Sequence, residues 1–270
     1  MTPSAPIDEK SSPPPRAPGG WGVLLALALV AAGCFDHPGP ATVPMRTLAI
    51  PGGSAESRCL VVFLPGRGDT PEHFVRNGFP EKLRRAGSRC AMIGVDSHMG
   101  YFFERTITQR LEEDVIAPAR AQGFQEIWLV GISLGGFGSL LYTKEHPGEI
   151  AGIVALAPYL GERELTDEIA KAGGAESWTP REDPERPEQK DFLAFWDWLK
   201  GYKHPDGQPD DGHPPLFLAI GSRDRFARPN GLVADLLPAD YVFRVDGGHT
   251  WKAWRRGWDA FLASSYVPGR

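Results

Sequence analysis

Short apolar runs recur along this chain, separated by polar stretches, and the spacing of the two is regular from about residue 59 onward. The runs cover 59–64, 90–95, 126–130, 151–157, 215–220 and 241–245. Apart from Glu126 and Arg244, they are apolar at nearly every position, the pattern of strands covered on both faces. Residues 45–50, ahead of Gly52 and Gly53, read as an edge strand. Between the earlier runs, 71–86 and 106–122 read as helices, the second with Leu111, Val115, Ile116 and Ala119 at helical spacing. Alternating strand and helix predicts an α/β domain with a mostly parallel central sheet flanked by helices. Its functional loops should gather at the carboxyl ends of the strands. Residues 160–213 break the rhythm with charge and proline and are expected to be an insertion over the sheet. Their aromatic cluster, Phe192, Phe195, Trp196 and Trp198, reads either as the buried face of an insertion helix or as a platform for substrate. No internal repeat is present.

The N-terminal end follows different rules. Its first 20 residues are rich in Pro, Ser and Gly, carry Lys10 and Arg16, and precede an apolar stretch from Trp21 to Ala32. That stretch is too short to cross a bilayer comfortably and has the form of an export signal. It ends in Leu29-Val-Ala-Ala-Gly-Cys34, which resembles the lipobox of bacterial lipoproteins. The resemblance implies cleavage before Cys34, lipid attachment to its thiol, and anchoring at a membrane of the cell envelope. The other reading is an ordinary secretory signal, with Cys34 incidental and the protein periplasmic or secreted. The expected division is a signal peptide at 1–33, a linker at 34–44 and one catalytic domain at 45–270.

Export changes the reading of the other two cysteines. Cys59 and Cys90 each stand at the first residue of an expected buried strand. If those strands are parallel neighbours in register, the two sulfurs meet in a disulfide; otherwise both are buried thiols.

Composition narrows the partners. With 41% hydrophobic and 23% charged residues over 270 positions, the chain can bury one large core. A net charge of -5 and no long run of like charge give no footprint for nucleic acid.

The candidate chemistry starts at Gly131-Ile-Ser-Leu-Gly135, a GxSxG motif between a strand-like run and a helix-compatible one. A strand, a tight turn and a helix in that order make a nucleophile elbow, which holds Ser133 up at the sheet edge above a helix N-terminus. A serine hydroxyl needs a base to take its proton and an acid to orient that base. In such sheets the partners follow in the order Ser, acid, His. His249 lies after the last strand, on the same rim as the elbow, whereas His213 sits in a polar turn before a strand. His146 reads as a helix cap and His98 as a residue near the pocket. Asp224 ends the preceding strand segment and is the candidate acid; Asp246 is too close to His249 in the chain and reads as a turn residue. Asp235 and Asp240 read as solvated. An oxyanion would need two donors. The amide of Leu134 and that of Arg67, in the Pro65-Gly-Arg-Gly-Asp69 loop, are the candidates.

With the elbow, Asp224, His249 and the Pro-Gly-Arg loop in that order, residues 45–265 resemble the α/β-hydrolase superfamily. The closing Gly247-Gly-His-Thr-Trp-Lys-Ala-Trp-Arg255 looks like the end of its esterase D-like branch, although Pro65 stands where that branch commonly has a histidine. The resemblance implies a serine hydrolase of a small-molecule or lipid-like carboxylic ester, acting through an acyl-serine. A thioesterase or peptidase would use the same groups, and a surface lipoprotein that only binds is the reading from another class. No cysteine and histidine cluster of metal spacing and no phosphate-cradling glycine motif is present, so no cofactor and no metal is expected.

Overall fold

The computed structural model describes residues 1, 39–54, 57–182, 187–203 and 212–270. The expected signal peptide after residue 1, Cys34 and the first part of the expected linker lie outside the described residues. Among the described residues seven strands form one sheet: β1 (Thr47–Ile50), β2 (Cys59–Leu64), β3 (Ala91–Val95), β4 (Glu126–Ile132), β5 (Gly152–Leu156), β6 (Leu216–Gly221) and β7 (Val242–Val245). Their order is β1-β3-β2-β4-β5-β6-β7, and every pairing is parallel except that of β1 with β3.

The consecutive apolar runs are explained by burial on both faces. Successive side chains of a strand point to opposite sides. In β2, Leu60, Val62 and Leu64 enter one core, while Val61 and Phe63 enter the other. The first core is covered by α4 (Ile107–Leu111), α6 (Leu134–Glu145) and α8 (Pro187–Leu199). The second is covered by α1 (Pro71–Arg76), α2 (Phe79–Arg85) and α10 (Trp251–Leu262), whose Trp258 and Phe261 are fully buried. The remaining helices are α3 (Met99–Phe103), α5 (Ala117–Ala121), α7 (Arg163–Lys171) and α9 (Ala227–Ala234). Among the described residues, no helix is long and apolar enough to cross a membrane.

Two of the expected helices are not uniform. The stretch 71–86 is broken at Asn77 and Gly78, where Gly78 adopts φ +75° and starts α2 in a new direction. The stretch 106–122 passes from α4 through a π-helical turn at Glu112–Ile116 into α5, with the Ala117 N–H donating to the Glu112 carbonyl. Pro118 gives a physical reason. It has no N–H for the Asp114 carbonyl, and its ring would crowd that carbonyl in a regular helix.

The insertion region contains α7 and α8. Its aromatic cluster divides between the two readings. Phe195 and Trp196 are buried in the core, the Trp196 indole N–H donating to the Leu160 carbonyl, while Phe192 is half-buried beside a groove.

In the register of β2 with β3, Leu60 lies opposite Ala91, so the preceding residues Cys59 and Cys90 are neighbours. Their sulfurs are bonded, with the Cα atoms 4.6 Å apart.

Candidate active site

The elbow is a packing solution before it is a chemical one. β4 runs into Ser133, and α6 begins at the next residue, so the chain reverses over a single position with φ 53° and ψ -113°. This is a strained backbone for a residue with a side chain, and it is held from both sides. The Ser133 N–H donates to the Leu156 carbonyl, and the Ser133 carbonyl accepts from the Tyr159 N–H, both at 3.0 Å. The turn is tight enough that a Cβ on Gly131 would lie 2.4 Å from the Gly135 carbonyl oxygen. A Cβ on Gly135 would lie 2.1 Å from the Leu64 oxygen.

Three strand ends meet above this turn. The loop after β6 carries Asp224 and the loop after β7 carries His249. His249 Nε2 lies 2.9 Å from Ser133 Oγ, while its Nδ1 lies 3.0 and 2.9 Å from the two oxygens of Asp224. The Asp224 carboxylate is almost wholly buried and also accepts the Phe226 N–H at 2.8 Å. That fixes the carboxylate behind the ring. The imidazole is further held between two aromatic edges, Phe226 and Trp254, each with its centroid 5.0 Å away and nearly perpendicular. Phe226 is in turn anchored through its carbonyl, which accepts from Asn230 Nδ2 at 2.8 Å in a fully buried position.

The Pro65–Asp69 loop lies against the elbow, as a Cβ on Gly66 would come within 3.3 Å of Ser133 Cβ. Leu134 is the first residue of α6, so its N–H has no acceptor within the helix. The Arg67 N–H meets no backbone carbonyl among the described residues.

The remaining candidates fall outside the constellation. Asp246 is exposed and pairs with Arg223 and Arg256, which hold its carboxyl below the usual range. His213 is stacked on Trp198 and bonded through Nε2 to the Trp198 carbonyl. His98 begins α3, its Nδ1 accepting the Gly100 N–H at 3.1 Å. His146 ends α6 and stacks on Tyr142. Asp235, at the end of α9, and Asp240 are both exposed, as expected, and Asp240 also accepts from the Tyr266 hydroxyl at 2.7 Å.

Residue order alone did not single out Phe226, Trp254, Trp251 or Asn230. The sequence does carry a signal for the two indoles: Trp251 and Trp254 follow His249 within one helical turn of each other.

No protein-family model matches the chain, and no curated protein sequence matches it. Solved structures do. A monoacylglycerol lipase of Paleococcus ferrophilus superposes with a TM-score of 0.51 at 15% identity, covering 81% of this chain and 98% of that one. The S-formylglutathione hydrolase of Staphylococcus aureus superposes with a TM-score of 0.50 at 14% identity, covering 83% of this chain and 97% of that one. At such identities the likeness is one of fold. Together with the sheet order and the strand-end site, it gives this chain the α/β-hydrolase fold.

Proposed function

We propose that the protein is a serine hydrolase of carboxylic esters. The observation that carries this reading is His249, hydrogen-bonded at once to Ser133 Oγ and to the buried carboxylate of Asp224. Ser133 Oγ attacks the ester carbonyl carbon as His249 Nε2 takes its proton. Asp224 orients the ring and stabilises the imidazolium. The carbonyl oxygen becomes an oxyanion, received by the amides of Leu134 and Arg67. Collapse of the intermediate breaks the bond to the alcohol oxygen, which takes the proton from His249. Water, deprotonated by the same imidazole, then attacks the acyl-serine and releases the acid. Every group this sequence of steps needs belongs to the chain itself.

The preference for an ester is supported by the Gly247–Arg255 terminus, which resembles that of esterase D-like enzymes. Export through residues 1–33 and lipid attachment at Cys34 belong to the same proposal, and would put the site at a membrane surface of the envelope.

A fluorophosphonate probe tests the reading. Covalent labelling of the native protein that disappears in Ser133→Ala is expected; a folded protein that stays unlabelled would refute it. Rates on matched ester, thioester and amide substrates then separate the esterase from a thioesterase or peptidase. Membrane fractionation of the native protein and Cys34→Ala reads the anchor separately.

A further inference from the structure

A groove of about 510 Å³ opens beside the elbow, between α3 and α8. Phe102, Phe137, Tyr159, Phe192 and Phe195 line it, together with Leu134, the residue directly after Ser133. The rings form a continuous wall. Phe137 stacks on Phe102 at 6.2 Å and on Phe192 at 5.3 Å, and Tyr159 meets Phe192 edge-on at 6.2 Å. The wall also reaches the triad: Tyr159 packs on Phe226 at 5.7 Å, and Phe226 packs on His249.

The charged groups at this groove sum to no net charge. Arg105 and Asp191, on opposite sides, are paired with each other. Lys144 and Glu145 are adjacent and of opposite sign. Burial, with the carboxylates of Glu162 and Glu164 adding to it, pushes the Tyr159 phenol up and keeps it neutral.

The side on which the groove lies decides which half of an ester it would take. His249 must reach the departing alcohol to protonate it, so the alcohol belongs near the loop after β7. Among the described residues that line the groove, none comes from that loop or from α10. We propose that this groove holds the acyl chain, and that the substrate is an ester of an apolar carboxylic acid of medium length. The inference rests on Ser133 being the nucleophile.

Each methylene transferred from water into such a site favours the longer acyl group by roughly fourfold when fully buried. The open side of the groove reduces that factor. An octanoate ester is therefore expected to exceed the matching acetate in kcat/KM by at least about tenfold. Ala194 lines the groove and is exposed, so Ala194→Trp fills the space without entering the core. This variant is expected to lower the octanoate-to-acetate ratio by about tenfold or more. Equal rates on the two esters in the native protein, or an unchanged ratio in Ala194→Trp, would overturn the assignment.

A second measurement needs no turnover. Saturation-transfer NMR with octanoate is expected to detect binding to Ser133→Ala and to lose it in the Ser133→Ala, Ala194→Trp double variant. Equal binding to both overturns the groove. Fluorophosphonate labelling of the native protein, run on the same preparation, reports separately on Ser133, so a failed groove and a failed hydrolase give different results.

Discussion

The Trp251 indole N–H donates to Asp69 Oδ1 at 3.2 Å, joining the first turn of α10 to the loop after β2. Through this bond the segment carrying His249 and the segment carrying the Arg67 amide hold each other in place. The Trp251 ring also meets Phe74, Phe79 and Trp254 edge-on at 5.4, 5.7 and 5.3 Å. Trp251→Phe keeps an aromatic ring among these side chains while removing the donor and part of the indole's bulk. The variant should lose about tenfold in kcat, some 1.4 kcal/mol of transition-state stabilisation, with KM little changed. Steady-state kinetics on one ester checks this, and an unchanged kcat would show that the loop is positioned without the bond.

Within the triad, losses should not add. Asp224→Asn leaves the carboxamide in the same space and removes the group that sets the imidazole tautomer, so kcat should fall on the order of 10⁴-fold. Combining it with Ser133→Ala should cost little beyond Ser133→Ala alone, because the groups act as a unit. Single-turnover rates for the two single variants and the double variant make the comparison.

The Cys59–Cys90 bridge spans 31 positions. In the chain-entropy description a loop of this length stabilises the folded protein by about 3 to 4 kcal/mol. The Cys59→Ala, Cys90→Ala protein should unfold at a correspondingly lower denaturant midpoint, and a reductant should shift the native protein toward it while leaving the double variant unmoved.

Acid stability offers a further check. Arg46 binds both oxygens of Glu72, at 2.8 and 3.2 Å, and with Thr70 holds its carboxyl down at about 2, from 4.5. The folded state thus keeps this proton off more strongly than the unfolded chain does. Its stabilising contribution is complete above about 4.5 and is lost as the pH falls through about 2. Both groups are partly exposed, so the effect is small and screened by salt. Denaturant midpoints of the native protein and Glu72→Gln should differ at neutral pH and converge near pH 2; an equal gap at both would refute the assignment.

The inner strands are legible to within about two residues because parallel strands buried on both faces are apolar at nearly every position, and the edge strands β1 and β7, partly exposed, are legible from their place in the alternation. The sites at their ends followed from chain order and from Asp224 having a separate strand end from which to reach His249. Helical periodicity continues across the break at Gly78 and across the π turn, so it hides both, although Gly78 and Pro118 mark the places. The Trp251–Asp69 bond joins residues 182 positions apart, and no periodicity reports on a contact of that kind. The groove was hidden for the same reason. Phe102, Phe137, Tyr159 and Phe192 come from four separate segments, and only the folded sheet brings them to one wall.

The close backbone contacts of the elbow limit how such a protein could be altered. Gly135 fits against Leu64 and Pro65, and Gly66 against Ser133, so the Ser133 hydroxyl and the neighbouring loop share one rigid seat and cannot be re-aimed independently. Ala194, on the α8 wall of the groove, is instead exposed. Selection or engineering toward a new substrate would therefore change such exposed wall positions first and inherit the seat intact.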